Sequence, residues 1–236
     1  LETLRHSCAH VMAQAVKEIW PDIKLGIGPA IEDGFYYDFD RALNEQGEKE
    51  LFVPSDLDKI EAKMREIIAR NEPFVRQEVS KYEAQELFKN TKEDYKLQLL
   101  DGIPEATVSI YKTGASFLDL CKGPHIDSAG QIKVFKLMSV AGAYWRGVET
   151  NPMLSRIYGT AFFSQKELDD YLKFIEEAKR RDHRRIGREL KYFGIHFEEA
   201  GAGLIFYYPK GALLRNIIED YERKEHTKRG YELVSS

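Results

Sequence analysis

The sequence predicts an α+β fold, a mixed and largely antiparallel sheet with packed helices, and three observations carry that prediction. Apolar residues recur at helical spacing in some segments and alternate in others, the two kinds of segment follow one another in no strict order, and turn residues separate neighbouring strand-like runs.

The first helix is the clearest element. Leu4, Cys8, Val11, Met12, Ala15 and Ile19 fall on one side of a helical wheel, and Trp20-Pro21 ends the run. His6 and His10, at i and i+4, lie one above the other and nearly opposite that stripe. Gly26 to Asp40 reads as a strand, a turn at Asp33-Gly34 and an aromatic strand. Ser55 is the expected N-cap of a helix reaching Arg70, with a stripe of Leu57, Ile60, Met64, Ile67 and Ile68. Phe74 to Val79 alternates as a short strand, and S-K-Y-E from Ser80 is a capping box that opens a helix to Phe88. A further helical turn is expected over Tyr95 to Leu100. Strands are expected over Ala106 to Tyr111 and Ser116 to Leu120, separated by Thr113-Gly114, then over Val134 to Trp145 and Arg156 to Phe163.

At Ser164 the pattern changes. S-Q-K-E is a second capping box, and Leu168, Tyr171, Leu172, Ile175 and Ala178 mark a long amphipathic helix running into a basic cluster. The expected division is 1–163, a linker helix over 164–190, and a remainder over 191–236. The remainder reads as a strand in G-L-I-F-Y-Y-P, a helix with the stripe Leu213, Leu214, Ile217, Ile218 and Tyr221 closed by Gly230, and a strand beginning over Tyr231 to Val234. So short a stretch buries little core alone, and it reads as the opening of a larger domain. The absence of an initial Met also suits a piece cut from something longer.

The 236 residues are 43% apolar and 31% charged, the composition of a globular protein rather than a disordered one. No run of ~18 apolar residues supports a transmembrane helix, and the N-terminus lacks the basic-then-apolar order of a secretory signal. The 2 cysteines, Cys8 and Cys121, form no disulfide framework and fit free thiols in a reducing cytoplasm. A net charge of -4 argues against indiscriminate coating of nucleic acid. The stretch from Lys179 to Lys191 is nevertheless strongly basic, with Lys179, Arg180, Arg181, Arg184 and Arg185 at its centre. It is either a solvated, salt-bridged face or a strip that contacts RNA phosphates.

The chemistry-bearing side chains concentrate in two windows, H-S-C-A-H from His6 to His10 and C-K-G-P-H from Cys121 to His125. Gly123-Pro124 keeps the second window from being helical and puts it on a tight turn after a strand. If the windows meet, His6, His10, Cys121 and His125 converge. Spacing alone leaves three readings open: a tetrahedral zinc site, a metal-free hydrolytic pocket in which His and Cys handle water and protons, or surface histidines beside a structural cysteine. A zinc protease of the H-E-x-x-H type is excluded, because position 7 is Ser. Asp119 just before Cys121, Lys96 and Tyr37 are further polar candidates near these windows.

The windows and their neighbours resemble the threonyl-tRNA synthetase family. The resemblance is carried by L-R-H-S-C-A-H (4–10), I-G-P-A-I-E-D-G-F-Y-Y-D (27–38), D-L-C-K-G-P-H (119–125), F-K-L-M-S-V-A-G-A-Y-W-R-G (135–147) and R-I-Y-G-T-A-F (156–162). It continues through K-R-R-D-H-R-R-I-G (179–187) and K-R-G-Y-E-L-V (228–234). Alanyl-tRNA editing enzymes are similar in the paired H-x3-H and C-x3-H motifs, but lack G-A-Y-W-R-G and R-I-Y-G-T.

The resemblance implies that 1–163 is an editing domain, which hydrolyses the ester joining serine to the 3′-terminal adenosine of threonine tRNA. By position it implies a pocket of His6, His10, Cys121 and His125, with Asp119, Lys96 and Tyr37 participating, and it favours the metal-free reading over zinc. One of the three histidines is expected to orient or deprotonate the water, and Asp119 to hold the α-ammonium. No cofactor is implied for editing. ATP, magnesium and zinc go with a catalytic domain of which 191–236 holds only motif 1, while motifs 2 and 3 lie beyond it. The implied partners are the acceptor end of threonine tRNA, with no membrane, and a second subunit of the full-length enzyme, a homodimer through motif 1. The implied location is the cytoplasm.

Overall fold

The computed structural model describes residues 1–41, 49–114, 117–196, 198, 201 and 203–234. They fall into two compact units, Leu1–Asp169 and Asp170–Ser236. The first unit opens with α1 (Glu2–Ile19), β1 (Lys24–Leu25), β2 (Ala30–Ile31), β3 (Gly34–Asp40), α2 (Asp56–Arg70) and β4 (Phe74–Ser80). It continues with α3 (Lys81–Asn90), α4 (Asp94–Asp101), β5 (Thr107–Thr113), β6 (Phe117–Leu120), β7 (Val134–Tyr144) and β8 (Met153–Phe162). Of the strand expected over Ser116 to Leu120, Ser116 lies outside the described residues.

Helix α1 is enclosed on more sides than its apolar stripe requires. Every residue from Leu4 to Val16 except His6 is buried, so the histidine face opposite the stripe is also covered. The helix ends as expected, with Trp20 N donating to Val16 O (2.8 Å) ahead of Pro21. It packs on α2 and on a five-stranded antiparallel sheet ordered β1-β3-β8-β7, with β2 beside β3. Phe35, Tyr37 and Phe39 alternate along β3 and are wholly buried in the same core as Cys8, Met12, Met64 and Ile157. Each such side chain contributes about 1.5–3 kcal/mol by leaving water. Asp38, between them in sequence, is buried too, and the register sets it opposite Arg156, whose Nε and Nη2 donate to its two oxygens at 2.7 and 2.9 Å.

Helix α2 buries the expected Leu57, Ile60, Met64 and Ile67. Ser55 precedes it but makes no side-chain cap, because its backbone is already helical (φ -67, ψ -20). Asp56 Oδ2 instead accepts from Val53 N (3.0 Å), one residue further on than expected. Helix α3 does carry its capping box, with Ser80 and Glu83 exchanging bonds as the S-K-Y-E pattern requires. The expected turn at Tyr95 extends to the eight residues of α4. Together α3 and α4 cover a second sheet, β4-β5-β6, around Ala84, Phe88, Leu100, Val108 and Ile110. The end of β6 delivers the second reactive window.

In the second unit, the long amphipathic helix α5 (Gln165–Arg180), whose first turn belongs to the first unit, stops short of the basic cluster's end. Asp182 interrupts it: its side chain accepts from Arg184 N (2.8 Å) and caps a separate helix, α6 (His183–Glu189). Next come β9 (Phe193–Ile195) and β10 (Ile205–Tyr207), paired antiparallel, and α7 (Pro209–Lys228), with Gly230 at φ 83 just past its end. Tyr231 to Val234 is not the strand expected there, since a strand needs a neighbour for its backbone groups and β9 and β10 already pair with each other.

Gly159 shows how tightly the first core is closed. It lies opposite both Phe35 and Leu137, and a Cβ there would sit 2.5 Å from Phe35 Cζ and 3.0 Å from Leu137 Cδ2. Gly159→Ala is therefore expected to lower unfolding stability by about 1–3 kcal/mol. Urea unfolding measures this as a lower midpoint at unchanged slope, and an unmoved midpoint would show that the Phe35 ring yields without cost.

Candidate active site

The structure brings the two windows together. His6 and His10 from α1 meet Cys121 and His125 from the turn after β6, and one potential ligand atom from each lies within 4.8 Å of all the others. Cys121 Sγ is 3.3 Å from His6 Nε2 and 3.3 Å from His125 Nε2, and it accepts from Gly123 N (3.2 Å). His6 Nδ1 is 3.2 Å from Pro124 O. The His125 ring stacks on Phe74 at 5.1 Å and 6° and meets Tyr111 edge-on at 4.4 Å. Gly123 has φ +74, and a Cβ there would collide with the Tyr111 hydroxyl, so the turn needs glycine on both counts. His6, Cys121 and His125 are half-buried, whereas His10 is closed off.

Beneath this cluster lies a buried polar hub. Asp119, the last inward residue of β6, receives the Tyr37 hydroxyl on Oδ2 (2.5 Å), has Lys96 Nζ at 2.5 Å from Oδ1 and lies 3.5 Å from His10 Nε2. Lys96 Nζ also donates to Gly26 O (2.7 Å) and to the Tyr37 oxygen (3.0 Å). All seven candidate residues of the pocket thus form one connected group. Asp119 is only 2% exposed, and its oxygens hold protein groups. It supports His10 from below. Above the cluster, Glu2, Thr3, His6, Pro29, Ala30, Gly123 and Pro124 line a cleft of about 290 Å³, at the small end of ligand sites.

Burial sets the electrostatics. It pushes the His125 pKa down to about 2, with His10 and His6 adding to the effect, and pushes the Cys121 thiol up to about 11. His10 is held well below its usual value by burial and then by His6 and Lys96, and His6 is lowered by burial. At neutral pH the cluster is three neutral imidazoles and a thiol, with no thiolate nucleophile. Among the described residues these four side chains are also the ones placed to hold a metal ion.

A family model described as "Threonyl and Alanyl tRNA synthetase second additional domain" matches residues 108–158, which include Asp119, Cys121 and His125. The "Threonine--tRNA ligase" of Pelobacter propionicus is 55% identical over 234 residues, 99% of this chain and 35% of that protein. That of Oleidesulfovibrio alaskensis is 55% identical over 236 residues, 100% of this chain and 35% of its own length. Dehalococcoides mccartyi has one 51% identical over 234 residues, 99% of the chain and 38% of that protein. From end to end, this chain is homologous to a segment of the threonine–tRNA ligases. It spans about a third of the length of the curated relatives it matches.

Two features of this chain escape a reading of its sequence. Ser7 enters that reading only as the residue that is not glutamate, yet its Oγ lies 3.0 Å from His125 Nδ1 and accepts from Ile126 N (3.0 Å), tying the windows together. Phe74 and Tyr111, which wall in His125, come from strands far away in the chain, and no local pattern announces them. Of the basic candidates, Arg180 and Arg181 pair with Glu177, Arg184 with Asp182 and Arg185 with Glu189, all on exposed faces. Lys179 is exposed as well. No helix among the described residues is long and apolar enough to cross a membrane.

The lowered His125 pKa has a consequence for folding. The unfolded chain takes up a proton on this imidazole near pH 6.5 while the folded one does not until about pH 2, so the contribution is present above pH 6.5 and is lost as pH falls toward 2. His125→Gln is expected to flatten the acid limb of a plot of urea midpoint against pH. An equally steep limb in the variant would contradict a neutral buried His125.

Proposed function

We propose that the first unit hydrolyses the ester of mischarged seryl-tRNA(Thr), the post-transfer editing step of a threonine–tRNA ligase. The observation that carries this reading is the convergence of three uncharged imidazoles and a thiol, with His6 of the four lining a small cleft, in a chain homologous to those ligases. A neutral imidazole at neutral pH holds a lone pair that accepts a proton from water. Water attacks the ester carbonyl, its proton passes to an imidazole nitrogen, and the ribose oxygen leaves and takes up a proton. The products are free serine and tRNA with its terminal hydroxyl restored. A thioester route through Cys121 is disfavoured, because burial keeps the thiol protonated.

Editing answers a physical limit. Serine is threonine without one methyl, a difference worth only ~1–3 kcal/mol, so a pocket that fits threonine rejects serine by ~10–200-fold at best. A second, smaller cleft that excludes the extra methyl supplies the missing discrimination. In this reading the acceptor end of threonine tRNA enters the cleft in the cytoplasm, and the exposed Lys179, Arg180, Arg181, Arg184 and Arg185 are candidate contacts to tRNA phosphates. The relatives' remaining length would supply ATP-dependent attachment of threonine, and the exposed stripe of α7 a homodimer contact.

Incubation with seryl-tRNA(Thr) and threonyl-tRNA(Thr) tests the proposal. Serine release is expected while threonyl-tRNA survives, and His6→Ala is expected to slow release by about 10²–10⁴-fold. Equal hydrolysis of the two esters, or none by folded protein, would overturn the editing reading.

A further inference from the structure

We propose that Ser7 is a positioning residue that holds His125 in its Nδ1–H tautomer and so turns the Nε2 lone pair of His125 toward the cluster. The assignment rests on hydrogen-bond accounting; only its kinetic consequence rests on the hydrolytic reading above.

Ser7 is wholly buried, and its Oγ has three close partners: Thr3 O at 2.9 Å, Ile126 N at 3.0 Å and His125 Nδ1 at 3.0 Å. A hydroxyl offers one hydrogen and two lone pairs. Ile126 N–H can only donate, so it occupies one lone pair. Thr3 O can only accept, so it draws the hydroxyl hydrogen. The second lone pair faces His125 Nδ1, which must then bring its own hydrogen. The opposite arrangement, with the hydroxyl donating to Nδ1, leaves two oxygen lone pairs facing each other across 2.9 Å in a site closed to water. Only the Nδ1–H tautomer places a hydrogen in all three contacts.

The same accounting extends through the cluster. Pro124 O can only accept, so His6 also carries its hydrogen on Nδ1 and presents an Nε2 lone pair. Both Nε2 atoms sit 3.3 Å from Cys121 Sγ, which already accepts from Gly123 N and has one hydrogen to give. One thiol hydrogen cannot serve two lone pairs. At any instant one imidazole nitrogen is left as an acceptor for a water, and Cys121 decides which. Without Ser7, His125 is free to carry its hydrogen on Nε2, and the surplus acceptor disappears.

Two-bond ¹H–¹⁵N correlation spectra of the ¹⁵N-histidine-labelled chain at neutral pH read the tautomer directly. The wild-type spectrum is expected to show His125 protonated on Nδ1 and bare on Nε2. Ser7→Ala is expected to mix or invert that pattern and to lower kcat for serine release by about ten-fold or more at unchanged KM. A wild-type His125 protonated on Nε2, or a Ser7→Ala spectrum identical to wild type, would overturn the assignment. If Ser7→Ala fails to fold, the wild-type spectrum alone decides. Nδ1–H in a wild-type protein that releases no serine would support the role of Ser7 while counting against the hydrolytic reading, so the two failures are distinguishable.

Discussion

The enclosure of α1 on both its apolar and its histidine-bearing face is the constraint on which the rest of the first unit depends. An amphipathic helix ordinarily buries one stripe and leaves the other side to water. Here the second side is closed by the turn after β6, so each polar atom on it needs a partner from the protein. Ser7 finds Ile126 N, His6 finds Pro124 O and His10 Nε2 lies 3.5 Å from Asp119, while His10 Nδ1 is left without a hydrogen-bond partner. Asp119 in turn cannot be buried alone, and Lys96 and Tyr37 surround it. The site is thus the polar counterpart of the hydrophobic core, built on the opposite side of one helix.

Enclosure also determines what the cluster can do. Desolvation disfavours the charged form of all three imidazoles, and His6 further lowers His10 while both further lower His125. Lone pairs rather than charges fill the cluster, which suits the acceptance of a proton from water. A metal held by the same four residues would take the place of the Cys121 thiol proton. Tyr37, whose ionisation burial strongly opposes, stays a donor to Asp119 and keeps the hub beneath the cluster fixed.

Much of this was legible before any coordinates. Helical spacing located α1, α2 and α7, the two capping boxes marked the starts of α3 and α5, and Gly123-Pro124 placed Cys121 and His125 on a turn. These signals are local, and local chemistry suffices for them. What was not legible depends on distant packing. The wheel put His6 and His10 off the apolar stripe but could not say that another segment covers them, and nothing near Phe74, Tyr111 or Ser7 shows that they border His125. The burial of Asp119 is set by β5 and α4 rather than by its neighbours in sequence, so its place beneath His10 could not be read locally. Tyr231 to Val234 has strand-like residues but no described partner strand. Asp182 split the basic helix by a capping bond easily hidden among so many arginines.

In the proposed editing step, shape would sort one methyl from none and proton acceptance by the imidazoles would do the chemistry. We propose that this chain's own imidazoles handle the water without a metal. Single-turnover serine release from seryl-tRNA(Thr), by protein shown metal-free by elemental analysis and then supplied with zinc, tests it most directly. The full rate is expected in the metal-free protein, with no gain on adding zinc. Release that appears only with one equivalent of zinc would contradict it.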